Sequence, residues 1–127
     1  MMKSGVSAAS NQLFNFRGDG MFFYTIDSIE AKAPADGVEM RIIHGNKMTM
    51  IFYKIGKGAG VPEHSHPHEQ MGTVLKGSVE LKIGPEKRIV HPGEAYHIPS
   101  DVLHGGKALE GPVEVLEVFT PQREDLI

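Results

Sequence analysis

The feature that most constrains this chain is its punctuation. Through the middle of the sequence glycine or proline recurs at close intervals, and no segment of ten or more residues carries a convincing 3.6-residue apolar period. A helix needs an unbroken run of that period to bury one face, whereas a short strand needs only alternation. Residues 78–83 alternate cleanly, with Val79, Leu81 and Ile83 on one side and Ser78, Glu80 and Lys82 on the other. Fifteen glycines and eight prolines are what many turns between short strands require. The pattern predicts an all-β sandwich or barrel.

Along the chain, residues 1–12 read as a flexible N-terminal arm, and residues 13–127 as one domain, since 127 residues are too few for two cores. The aromatic run at 21–25 is a candidate first strand, and residues 33–37 a turn. Residues 38–43 and 47–55, rich in β-branched, Met and aromatic side chains, flank Gly45-Asn46 as a hairpin. Residues 56–60 form a glycine-rich loop. Further strands are expected at 70–75, 78–83, 87–90, 95–98, 103–108 and 113–119.

A formal net charge of −3 gives no basic footprint for nucleic acid or an anionic membrane surface. No cysteine is present, which excludes disulfides and thiolate ligands. The N-terminal stretch lacks the apolar core of a signal peptide and no long apolar run follows, so a soluble cytoplasmic protein is expected.

Seven histidines are many for this length, and six of them fall in the span from His64 to His104. His64 and His66 stand at i and i+2, so on an extended segment their imidazoles point the same way. They can then share one cation at about 2.0–2.1 Å from each nitrogen. A third group, four residues on, can close in if the chain breaks at Pro67, and His104 is the candidate for a donor from elsewhere. Alone, the cluster is equally compatible with a solvated polar loop.

The spacing resembles that of the cupin superfamily. Gly58, five residues, His64-Ser-His66, three residues, Gln70, six residues, Gly77 follows the first cupin motif, with Gln in place of Glu. Gly93, five residues, Pro99-Ser-Asp101, two residues, His104, three residues, Ala108 follows the second, with Asp101 and Ala108 replacing its second Gly and its Asn. The resemblance implies a cupin double-stranded β-helix, or jelly-roll barrel. It also implies one divalent transition metal (Zn, Ni, Fe, Mn or Cu) held by His64, His66, Gln70 and His104. Four uncharged donors would leave the ion's charge uncompensated, which favours Lewis-acid work over oxygen activation. By this spacing His68 falls in the turn and is not a ligand; it either supports the ligands from behind or is simply exposed, and the exposed position is the one favoured.

If residues 113–119 form a strand, Val113, Val115, Glu117 and Phe119 share a face. An acid among apolar neighbours is partly desolvated and suited to proton transfer; the plainer reading is an edge or salt-bridged acid. The run His64-Ser-His-Pro-His-Glu-Gln70 and the ending Phe119-Thr-Pro-Gln-Arg123 narrow the resemblance to KdgF-type pectin-degradation cupins. Those proteins convert 4,5-unsaturated uronates to linear keto acids. The resemblance implies an acid–base role for Glu117, where the family has Asp, packing against the sugar for Phe119 and carboxylate binding for Arg123. The substrate class is thus a small, anionic sugar or keto acid. A metal-dependent dioxygenase and a non-catalytic sugar-binding or sensing module remain alternatives. Cupins of this size form homodimers, for which residues 21–24 are a candidate exchanging strand. The sequence leaves open whether His97 faces the cavity, and assigns Arg41 to the surface and Met40, Met48, Met50 and Met71 to the core.

Overall fold

The computed structural model describes residues 22–127. By its internal contacts the chain divides after Glu30, and all eight strands belong to the unit Ala31–Ile127. They are β1 (Lys32–Ala35), β2 (Val38–His44), β3 (Thr49–Ile55), β4 (Gly60–His64), β5 (Glu69–Ile83), β6 (Glu86–Val90), β7 (Ala95–Ile98) and β8 (His104–Thr120). A 3₁₀ turn, Glu124–Leu126, follows β8.

Every pairing is antiparallel, and β8 organises them. Its first part pairs with β4, bringing His64 opposite His104, and its second part pairs with β3, from Ile55↔Val113 to Thr49↔Phe119. β5 lies against β8 from Glu69↔Thr120 to Ile83↔His104. β6 and β7 pair with β5, and β1 and β2 extend the sheet beyond β3. The alternating faces enclose Val38, Ile55, Val74, Val79, Leu81, Val90, Ala108, Val113 and Val115, with Met40, Ile51 and Phe119 forming a smaller cluster. This is an all-β jelly-roll barrel, as expected. Among the described residues no helix is long and apolar enough to cross a membrane.

Four local expectations need correction. Residues 22–25 are not a strand; Ser28 N–H donates to the Thr25 carbonyl (2.9 Å) and closes a 3₁₀ turn at Ile26–Ser28 instead. The dimer-forming strand expected there is therefore absent among the described residues, and Phe22 and Phe23 are exposed. The turn expected at 33–37 begins as β1, because Pro34 is tolerated where no partner strand needs its missing N–H. Two pairs of short strands are each one long strand, β5 and β8. Gly77 is a bulge within β5, not its end: its φ is +79°, and a Cβ there would strike the Glu110 carbonyl and lie 2.9 Å from Val113. The expected arm, residues 1–12, and Met21 lie outside the described residues.

Candidate functional site

Strand pairing brings the two histidine-bearing segments together. His64 ends β4 and His104 begins β8, in register, with ring centroids 4.4 Å apart. His66, in the link to β5, places its ring 5.6 Å from that of His64 and 5.0 Å from that of His104. One ring nitrogen of each lies within 4.8 Å of the others. Asp101 helps hold this link. It stands where the second motif has glycine and adopts a positive φ of 65°, and its N–H donates to the His66 carbonyl at 2.8 Å.

The three imidazoles are oriented by one device. Nδ1 of His64 lies 2.9 Å from the Pro62 carbonyl, Nδ1 of His66 3.0 Å from that of His68, and Nδ1 of His104 2.8 Å from that of Val102. A carbonyl only accepts, so each Nδ1 carries the proton and each Nε2 keeps a lone pair. Burial lowers the pKa of His66, helped by the charge of Arg123, and burial likewise lowers that of His104. Both therefore favour the neutral state that ligation needs. Gln70, 4 % exposed, opens β5, and its Oε1 has no hydrogen-bond partner; neither has Nε2 of buried His104. Orphaned, buried acceptors beside two further imidazole lone pairs are the donor chemistry of a divalent transition-metal site. The residues present thus fit the expected ion.

Glu117 lies beside this cluster. A single row of register partners runs Ile51, Glu117, Gly72, Tyr96 across β3, β8, β5 and β7. Gly72 has no side chain, so the Tyr96 ring crosses its position and donates its hydroxyl to Glu117 Oε2 at 2.5 Å. A Cβ on Gly72 would fall 2.5–2.7 Å from three Tyr96 atoms. Gln70 faces the Glu117 carboxylate and favours its charged form. Burial pushes the Glu117 pKa up, against the opposing pull of Tyr96, Gln70 and Arg123. Burial, reinforced by the Glu117 charge, raises the Tyr96 phenol, which stays protonated as a donor.

Arg123 follows β8. Its backbone N–H donates to Oγ1 of buried Thr49 (2.9 Å), and its guanidinium lies 4.6 Å over the Phe119 ring. Nε and Nη2 fork onto Asp125 at 3.0 and 2.9 Å, which holds the Asp125 carboxyl down at about 2. His64, His66, Gln70, His104, Glu117, Phe119 and Arg123 all line one cavity of about 340 Å³, whose wall continues through apolar residues such as Val38, Leu81 and Val115.

All seven residues singled out in the sequence therefore meet at one cavity. Phe119 is only 2 % exposed, with Arg123 over its face and His66 at its edge. His68 departs from the favoured expectation: it is buried, not exposed. His97 points outward and pairs with Glu69 at 2.6 Å, and Arg41 pairs with Glu39 at 3.3 Å. Of the methionines, Met40 is in the core and lines the cavity, while Met48 and Met71 are exposed. Sequence reasoning missed Tyr96 and Gly72. A four-residue strand has too little alternation to show which face is inward, and a glycine that makes room for a distant ring looks like any turn residue.

A cupin-domain family profile matches residues 51–119. The chain is 34% identical over 94 residues to pectin degradation protein KdgF of Dickeya dadantii, covering 72% of this chain and 86% of that one. Among solved structures, KdgF from Halomonas sp. superposes with a TM-score of 0.79 at 31% identity, covering 83% of this chain and 99% of that one. An RmlC-like cupin from Shewanella frigidimarina gives a TM-score of 0.78 at 21% identity over 84% of this chain and 96% of that one, a likeness of fold.

Proposed function

The chain belongs to the cupin family, and from that premise we propose that it is a metal-dependent enzyme that opens the ring of a 4,5-unsaturated uronate. The observation that carries this reading is the convergence of three Nε2 lone pairs and the orphaned Gln70 Oε1 beside a buried acid in one cavity. The similarity to pectin degradation proteins supports the substrate class.

His64, His66, Gln70 and His104 would hold one divalent ion, which when bound supplies Lewis-acid polarisation of a hydroxyl or carbonyl oxygen. Linearisation is an isomerisation. The anomeric hydroxyl loses a proton as the ring C–O bond opens, and a proton is added at the former alkene carbon. One group that both takes and gives a proton therefore suffices, and Glu117 has the raised pKa for it. Tyr96 holds its carboxylate in place. Arg123, steadied by Asp125 and Thr49, offers the substrate carboxylate a planar cation at the cavity wall. The apolar wall limits competing water.

The test is decay of the conjugated enol-acid absorbance when purified protein with a divalent metal meets an unsaturated uronate. Glu117→Gln is expected to keep its metal and lose turnover by roughly 100-fold or more. Binding without turnover, or a fully active Glu117→Gln variant, would remove the proposal. Oxygen uptake during turnover would replace it with an oxygenase.

A further inference from the structure

A second group of donors lies next to the first, with the His68 ring 5.6 Å from that of His66. His68 is 4 % exposed, yet neither of its ring nitrogens has a hydrogen-bond partner. A buried polar group left unpaired is costly, and an ion is one of the few things that resolves it. Nε2 of His68 lies 3.4 Å from Oε1 of Glu124, too far for a good N–H···O bond. It is close to the spacing of about 3.3–3.4 Å between two donors that share a tetrahedral ion at about 2.0–2.1 Å. A carboxylate oxygen of Asp125 completes a set whose three donor atoms lie within 4.8 Å of one another.

We propose that His68, Glu124 and Asp125 form a second divalent-cation site, separate from the three-imidazole cluster, which ties the C-terminal 3₁₀ turn to the link carrying His66. One imidazole and two carboxylates balance a dication's charge, and such a mixed N/O set suits Zn²⁺ or its neighbours. Glu124 and Asp125 are exposed, so the ion enters from solvent and water completes its shell. The Arg123 fork fixes the Asp125 carboxylate as outer hydrogen bonds commonly fix a ligating carboxylate. The same fork makes the site consequential. An ion held through Asp125 restrains Arg123, which lines the cavity, so occupancy of this surface site sets how firmly that guanidinium is placed.

The test counts ions. Metal-free full-length protein is titrated with Zn²⁺ by calorimetry and with Co²⁺ by visible absorption, in the wild type, Glu124→Gln/Asp125→Asn and His104→Ala. The wild type is expected to bind one equivalent more than Glu124→Gln/Asp125→Asn, and His104→Ala is expected to keep the equivalent that the double variant loses. Equal stoichiometry in wild type and double variant overturns the proposal, as does a His104→Ala protein that binds nothing while its thermal melt shows it folded. Failure of the three-imidazole reading has a different signature: His104→Ala then binds as many ions as the wild type.

Discussion

Each imidazole in the cavity is set by a carbonyl two residues away, and Glu117 is set by a phenol that reaches it only because residue 72 has no side chain. Tyr96→Phe removes a hydrogen bond to a charged acceptor, a contact worth about 1.5–3 kcal/mol. If that bond serves to place the acid, kcat should fall by roughly 10- to 100-fold with KM and metal content nearly unchanged, while the melting temperature drops by several degrees. Gly72→Ala should give the same kinetic defect by displacing the Tyr96 ring. A rise in KM with kcat unchanged would contradict a placing role. Glu117 itself carries a stability cost. Its folded pKa is raised, so the fold holds the proton more tightly than the unfolded chain, and the resulting stabilisation is complete below the ordinary value of 4.5 and lost as pH rises through the raised one. In metal-free protein, Glu117→Gln should therefore melt higher than wild type, by a margin that widens as pH rises above the ordinary value of 4.5. A constant margin would mean that Glu117 does not titrate differently in the two states.

At the scale of elements, the site depends on how two strands end and begin. β4 closes on His64 directly opposite the start of β8 at His104, and the loop before β8 is pinned by Asp101 N–H on the His66 carbonyl. Asp101 occupies a left-handed conformation that a β-branched side chain resists. Asp101→Val should destabilise by about 1–2 kcal/mol and weaken metal retention, whereas Asp101→Gly should be close to neutral. Chemical denaturation checks the first part and metal analysis after dialysis the second. The same loop shows why the motif survives its substitution: the position requires a residue that accepts positive φ, and Asp is among the few non-glycines that do.

Taken whole, the barrel brings residues 64 and 104 together only when β4 and β8 pair, so ligand binding and folding are linked. A ligand that binds the folded state alone adds stability as RT ln(1 + [L]/Kd), about 2.7 kcal/mol at 100 times Kd. Saturating Zn²⁺ should thus raise the melting temperature of the wild type by several degrees, and a chelator should reverse it. His104→Ala should lose most of that rise. A melting temperature indifferent to both would argue that no folded-state metal site exists.

Much of this was legible from the chain itself. Periodicity and punctuation pointed to an all-β sandwich or barrel, and the resemblance of the Gly58, His64, His66, Gln70, Gly77 and Gly93, His104 spacing to the cupin motifs implied which side chains would meet. Those are statements about local repeat and fixed offsets, which survive folding unchanged. The tertiary structure decided what depends on neighbours distant in sequence. It made β5 and β8 continuous, because cross-strand pairing outweighs a glycine that looks like a stop when read alone. It turned His68 inward and His97 outward, a choice that a short strand or a turn does not encode. It also placed Tyr96 against Glu117 through the gap at Gly72, a contact that exists only when three separate strands lie side by side.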